Sequence, residues 1–226
     1  MKFINTIEIN PFDIADYDSP THDHSNRNEV MYEYWKKCLA SQGLERLEPV
    51  EKGSYFVDLN SVNDFELEVI IKNHISDSAP YFENCEDDVG VFCGGIVVKD
   101  DESIILEPSC CGDLESLHFW EDILTKDYSI WKDLWIGHPW IYYKQINSSI
   151  VFSDYYESDV NDLKEVKILF EICTSTLKKH LENLKKSQVL FESRIQKTLE
   201  RLDVPRSRTV AKVIAGNYHQ DNSILQ

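Results

Sequence analysis

Two cysteines stand side by side in the segment EPSCCGDL, residues 107–114, between a proline and a glycine. The reactive form of cysteine is the thiolate. It forms near neutral pH only beside a cation or at a helix N-terminus. A helix opening near residue 113 would give Cys110 and Cys111 such an end, with Asp113 alongside. His138, in the segment WKDLWIGHPWIYYK (131–144), would supply a base. The simpler reading makes Asp113 the N-cap of that helix and the cysteines small buried apolar groups. Gly137-His138-Pro139 is then a tight turn inside an aromatic cluster. The three tryptophans and two tyrosines around it are also residue types that anchor protein interfaces.

Other ligand-type residues are less well spaced. Cys93, Cys110, Cys111 and His118 match no standard zinc pattern. His22-Asp23-His24 has no third ligand at a recognisable spacing, and ENCEDD (83–88) lacks the ordered oxygens and closing glutamate of a calcium loop. No phosphate-binding glycine loop, dinucleotide fingerprint, nucleophile elbow or HExxH stands in the chain. The expectation is therefore no cofactor and no metal, with catalysis less favoured than binding.

Charge narrows the partners. Lys and Arg number 23 against 40 Asp and Glu, a net of −17 over 226 residues. Such a field repels phosphate backbones and anionic lipid, so neither nucleic acid nor membrane is expected; the plain reading of the acidity is solubility, and the functional one is a basic protein partner. The charge is uneven: residues 1–160 hold 32 acidic and 11 basic groups, residues 161–226 hold 8 and 12. The acidic stretches in predicted loops supply Asp13, Asp16, Asp18, Glu86, Asp87 and Asp88 as partner-binding carboxylates. The opening MKFINTIEIN has no apolar signal-peptide core, and the six cysteines form no CxxC pair. A cytoplasmic location with reduced thiols is expected.

These groups need a scaffold. Residues 3–9 read as a strand ended by Pro11, and 11–26 as an acidic loop. A helix runs from an Asn28 N-cap to about Ser41, burying Met31, Tyr34, Trp35, Cys38 and Leu39. Tyr55–Leu59 suits a strand. Residues 63–76 fit either period, and the Asn63-Asp64 start favours helix. Residues 89–107 form a hairpin whose Gly94-Gly95 pair marks a bulge or a close backbone approach. A helix over 114–125 and a hairpin over 140–152, turning at Asn147-Ser148, follow.

From Asn161 to Asp203 there is neither Gly nor Pro, and apolar residues recur by threes and fours from Leu163 through Phe170, Cys173 and Leu177 to Leu202. Gln188 fills the one gap. The pattern predicts a long amphipathic helix, continuous or broken once, with a coiled-coil-like seam, ended by Pro205 and followed by a frayed tail. The expected fold is α+β: mainly antiparallel sheet built from hairpins, with packed helices and this long C-terminal helix. Residues 1–160 would form an acidic domain and 161–226 a helical extension packed on it.

EPSCCGDL (107–114) and WIGHPW (135–140), set in an acidic α+β body, resemble bacterial immunity-type proteins of polymorphic toxin systems. The resemblance covers roughly residues 89–160 and the general character of the helical C-terminus. It implies tight binding of a cognate toxin domain, with an acidic surface over a basic site, and carries over no catalytic residue. Two other functions fit the residues: an enzyme using Cys110 or Cys111 with Asp113 and His138, and an oligomerisation module built on the C-terminal helix.

Overall fold

The computed structural model describes residues 1–15, 17–21, 26–76, 89–101, 103–125 and 128–218. The fold is α+β, as the sequence patterns imply. Its strands are β1 (Lys2–Glu8), β2 (Phe56–Asp58), β3 (Gly94–Asp100), β4 (Ser103–Leu106), β5 (Lys132–Leu134), β6 (Ile141–Ile146), β7 (Ser149–Ser153) and β8 (Ile168–Cys173). Its helices are α1 (Pro11–Ile14), α2 (Arg27–Ser41), α3 (Asp64–Ile75), α4 (Leu117–Asp122), α5 (Thr174–Arg201) and α6 (Ser207–Ile214). One sheet has the order β2-β1-β3-β4 and the other β5-β6-β7-β8. Among the described residues no helix is long and apolar enough to cross a membrane.

The chain divides into two compact units, each made of separate stretches: Met1–Asn5 with Cys93–Ser187, and Thr6–Phe92 with Gln188–Gln226. The change of charge balance at residue 160 therefore falls inside the first unit.

In the first unit the meander β5-β6-β7-β8 is antiparallel throughout, and its inward residues Leu134, Ile141, Phe152 and Phe170 share one core with Trp120, Leu177 and Leu181. The Phe152 and Phe170 rings stack at 4.6 Å. The β6–β7 hairpin turns at Asn147, in the left-handed conformation that Asn tolerates. The glycine pair at the start of β3 is a close approach: a Cβ on Gly95 would meet Ser116 Oγ at 2.8 Å, while the bulge lies at Val98/Lys99.

In the second unit α2 buries Tyr34, Trp35 and Cys38, and the Trp35 indole donates to the Ile9 carbonyl over 2.7 Å. The helix starts two residues earlier than expected, with Asn26 rather than Asn28 at the N-cap position. The ambiguity over 63–76 resolves as helix. Asn63 accepts from the amides of Phe65 and Glu66, and the Glu66 carboxylate returns to the Asn63 amide, a complete capping box.

The C-terminal region departs from the sequence pattern at both ends. Residues 163–173 are not helical. Phe170 and Ile172 also fit a period of two, and pairing with β7 draws them into β8. The helix proper begins at Thr174. Its seam is used within the chain: Leu177, Leu181 and Leu184 lie in the core of the first unit, while Gln188, Phe191, Ile195 and Leu199 are buried in the second. Residues 207–214, expected to fray, are helical, and 219–226 lie outside the described residues. In this helix, α6, Val210, Ala211, Val213 and Ile214 are buried, and the Ile214 carbonyl accepts from the Phe92 amide.

Candidate functional site

The two sequence segments that drew attention meet through their backbones in the first unit. The Ser109 amide donates to the Ile136 carbonyl over 2.9 Å, and the His138 amide to the Cys110 carbonyl over 3.0 Å. Cys110 and His138 form an isolated β-bridge, as do Cys93 and Asp113. From the opposite side Tyr155 clamps the loop: its hydroxyl donates to the Glu107 carbonyl over 2.7 Å and accepts the Glu107 amide over 2.8 Å. Burial pushes the Tyr155 phenol up to about 12.

The side chains there are arranged for structure more than for reaction. Asp113 Oδ1 accepts the Glu115 amide over 2.9 Å, capping the 3₁₀ turn Leu114–Ser116 that leads into α4. That bond occupies the helix end that would otherwise stabilise a thiolate. Burial raises the Asp113 carboxyl above its ordinary range, against the bonds from the Glu115 and Ser116 amides. Cys110 and Cys111 are both exposed, their sulfurs 3.4 Å apart, and that contact pushes the Cys111 thiol up. His138 Nε2 lies 3.1 Å from a Glu157 carboxylate oxygen, and its ring meets Trp140 edge-on at 4.8 Å. His118 has Nδ1 against the Glu115 carbonyl and its ring against Phe119, close enough for its charge to act on Asp113. Among the described residues no group of three or more His, Cys, Asp or Glu is placed to hold a metal ion.

Of the partner-binding carboxylates, Asp16, Glu86, Asp87 and Asp88 lie outside the described residues, as do His22, Asp23 and His24. Asp13 and Asp18 are exposed in the second unit. Between and beside them stand Phe12, 53% exposed, and Tyr17, 39% exposed. Two hollows open there. One of about 510 Å³ is lined by Phe12, Asp13 and Tyr17, the other of about 400 Å³ by Asp18, Glu29, Glu33 and Lys37. The scaffold is firm: the Tyr34 hydroxyl donates to the Tyr17 carbonyl over 2.8 Å, and Gln42 Nε2 to the Ile14 carbonyl over 3.0 Å. The negative field reaches inward, since the Glu8 carboxyl is raised first by burial and then by the charge on Asp13. Glu29 and Glu33 were not singled out in the sequence. They sit one turn apart on α2, a surface spacing that only the fold connects to Asp18.

A third feature lies in the first unit. A hollow of about 380 Å³ is lined by Trp131, Trp140 and Tyr142 together with Asp133, Asp159 and Lys132. The sequence marked the tryptophans as interface anchors but not the two aspartates, which lie 26 positions apart in the chain.

Compared with protein-family models, curated proteins and solved structures, the chain matches none.

Proposed function

We propose that the chain is a binding protein that holds a basic protein partner, a toxin domain being the partner that the resemblance implies. The observation that carries the reading is the α1–α2 face. Exposed Phe12 and Tyr17 stand among the carboxylates of Asp13, Asp18 and Glu33 over two hollows, with Glu29 paired to Lys52 at 3.3 Å and Lys37 the cation lining the second hollow. Aromatic anchors hold a complex once formed, and a surrounding field of one sign speeds its formation. An internal contact supports the reading: Lys37 Nζ sits 4.1 Å from the centre of the Tyr17 ring, a cation–π geometry that a partner's cation can also adopt. Catalysis has less support, because Asp113 is spent as a cap and contact with Cys110 pushes the Cys111 thiol up, away from the reactive thiolate.

The test is affinity capture from the source cell at low and high salt, comparing the chain with its Asp13→Asn/Asp18→Asn form. The expected result is a basic protein whose association slows about fivefold in the double variant and weakens with salt. A partner indifferent to both salt and the double variant removes the proposal.

A further inference from the structure

We infer that the hollow between β5, β6 and the 3₁₀ turn Val160–Asp162 is a binding site for an arginine side chain presented by a partner. It depends on the reading of a basic protein partner only for which molecule presents that side chain.

The lining combines the two chemistries that a guanidinium needs. Trp131 and Trp140, with the edge of the buried Tyr142, give the hollow an aromatic lining, and Asp133 and Asp159 supply carboxylates. A planar, weakly hydrated cation stacks on the first and hydrogen-bonds in a fork to the second, which favours arginine over lysine.

Each wall is fixed by the fold. Trp140 exchanges two backbone hydrogen bonds with Tyr156, of 2.8 and 2.9 Å. Tyr142 is 4% exposed and donates its hydroxyl to the Ser158 carbonyl over 2.9 Å. Asp159 is held as an N-cap by the Asn161 amide at 2.8 Å, with the Asn161 side-chain amide on the same oxygen. Asp133 lies opposite Tyr142 in the β5–β6 register. The field in the hollow is negative. The Tyr142 phenol is raised first by burial and then by the charges of Asp159, Asp133 and Asp162.

The chain's own cations show the attraction and also limit it. Lys144 Nζ lies 4.6 Å from the Trp131 ring centre, and Lys132, which lines the hollow, has its Nζ 5.5 Å from the ring of Tyr128. Asp159 Oδ1 is taken by Asn161, which leaves its Oδ2 and the carboxylate of Asp133 to face a guest.

The experiment uses N-acetyl-arginine methylamide and its neutral isostere N-acetyl-citrulline methylamide against the full chain, reading the five indole N–H signals by NMR. Trp131 and Trp140 line the hollow. Trp35 and Trp120 are fully buried, and Trp135 is exposed outside it. The expected result is a saturable shift of the Trp131 and Trp140 signals with the arginine compound. Citrulline should be at least about fivefold weaker. Asp159→Asn keeps the cap, since Asn caps as well as Asp, and should weaken the arginine compound about tenfold. Asp133→Asn, on an exposed strand position, provides a second variant with the same expected direction. Lys144→Gln, which removes a like charge, should tighten binding.

Equal responses to the two compounds, movement of Trp135 alone, or no saturable shift would each overturn the assignment. An arginine compound that binds while the cell yields no basic partner keeps the site and removes the proposed function. A basic partner captured without regard to Asp159→Asn, with the compound silent, does the reverse.

Discussion

The carbonyl oxygen of Cys110 occupies the space that a side chain on residue 137 would need. A Cβ built on Gly137 collides with it and lies 2.6 Å from the Ser109 carbonyl as well, and the backbone there has φ +102°. This is where the EPSCCGDL and WIGHPW segments lock together, and only glycine permits it.

Gly137→Ala is therefore expected to destabilise the chain by about 3 kcal/mol, combining backbone strain with a clash against main-chain atoms. Gly90 is the control, since nothing lies within 4 Å of a Cβ placed there. Gly90→Ala should stay within about 0.5 kcal/mol of the parent. Urea denaturation of the two variants decides the matter, and equal midpoints would remove the argument.

Asp113 gives a pH-dependent prediction. Burial raises its carboxyl in the folded chain. A raised acid favours the protonated form on folding, so its contribution is fully present below the unfolded pKa and is lost as pH rises through the folded one. Asp113→Asn keeps the cap and has no charge to bury. Its melting temperature should exceed that of the parent at neutral pH and match it at about pH 3. A variant that melts lower at neutral pH would mean that the charge itself is needed.

The exposed thiols should differ in reactivity. The Ser175 hydroxyl, 3.3 Å from Cys173 Sγ, lowers the Cys173 thiol, with help from the Ser175 and Thr176 amides at the start of α5. Contact with Cys110 raises Cys111. Alkylation by iodoacetamide, followed by peptide mass spectrometry across a pH series, should reach its plateau at lower pH for Cys173. The opposite order would contradict the local bonding.

Gln188 is fully buried in α5, and its Nε2 donates to the Ala215 carbonyl over 2.7 Å, just beyond the end of α6. Gln188→Ala removes both the bond and the volume and should cost about 3 kcal/mol. Gln188→Leu restores the volume but not the donor and should cost about half as much. Denaturation midpoints measure both, and two neutral substitutions would show that the amide is dispensable.

Much of the local structure was legible because its causes are local. The capping box at Asn63 and Glu66, the hairpin turn at Asn147 and the apolar face of α2 each depend on residues within one or two turns of the chain. The same holds for Asp113, whose reading as a cap needed only the two residues after it. The net charge of −17 likewise belongs to composition and directs attention to a basic partner before any fold is known.

What the sequence left open depended on distant pairing. Phe170 and Ile172 satisfy a helical and a strand period alike, and only the edge of β7 selected the strand. Residues 207–214 form a helix because their apolar face is buried and Gln188 donates to the Ala215 carbonyl just beyond it, neither of which is visible within that stretch of sequence. Asp133 and Asp159 become walls of one hollow through the β5–β6 pairing and the turn after β7, and the same long-range closure brings Cys110 to His138. Hydrophobic period and capping act over a few residues, so the chain states them directly. Register and the meeting of loops minimise unpaired backbone and exposed apolar area across the whole fold, so only the folded chain decides them.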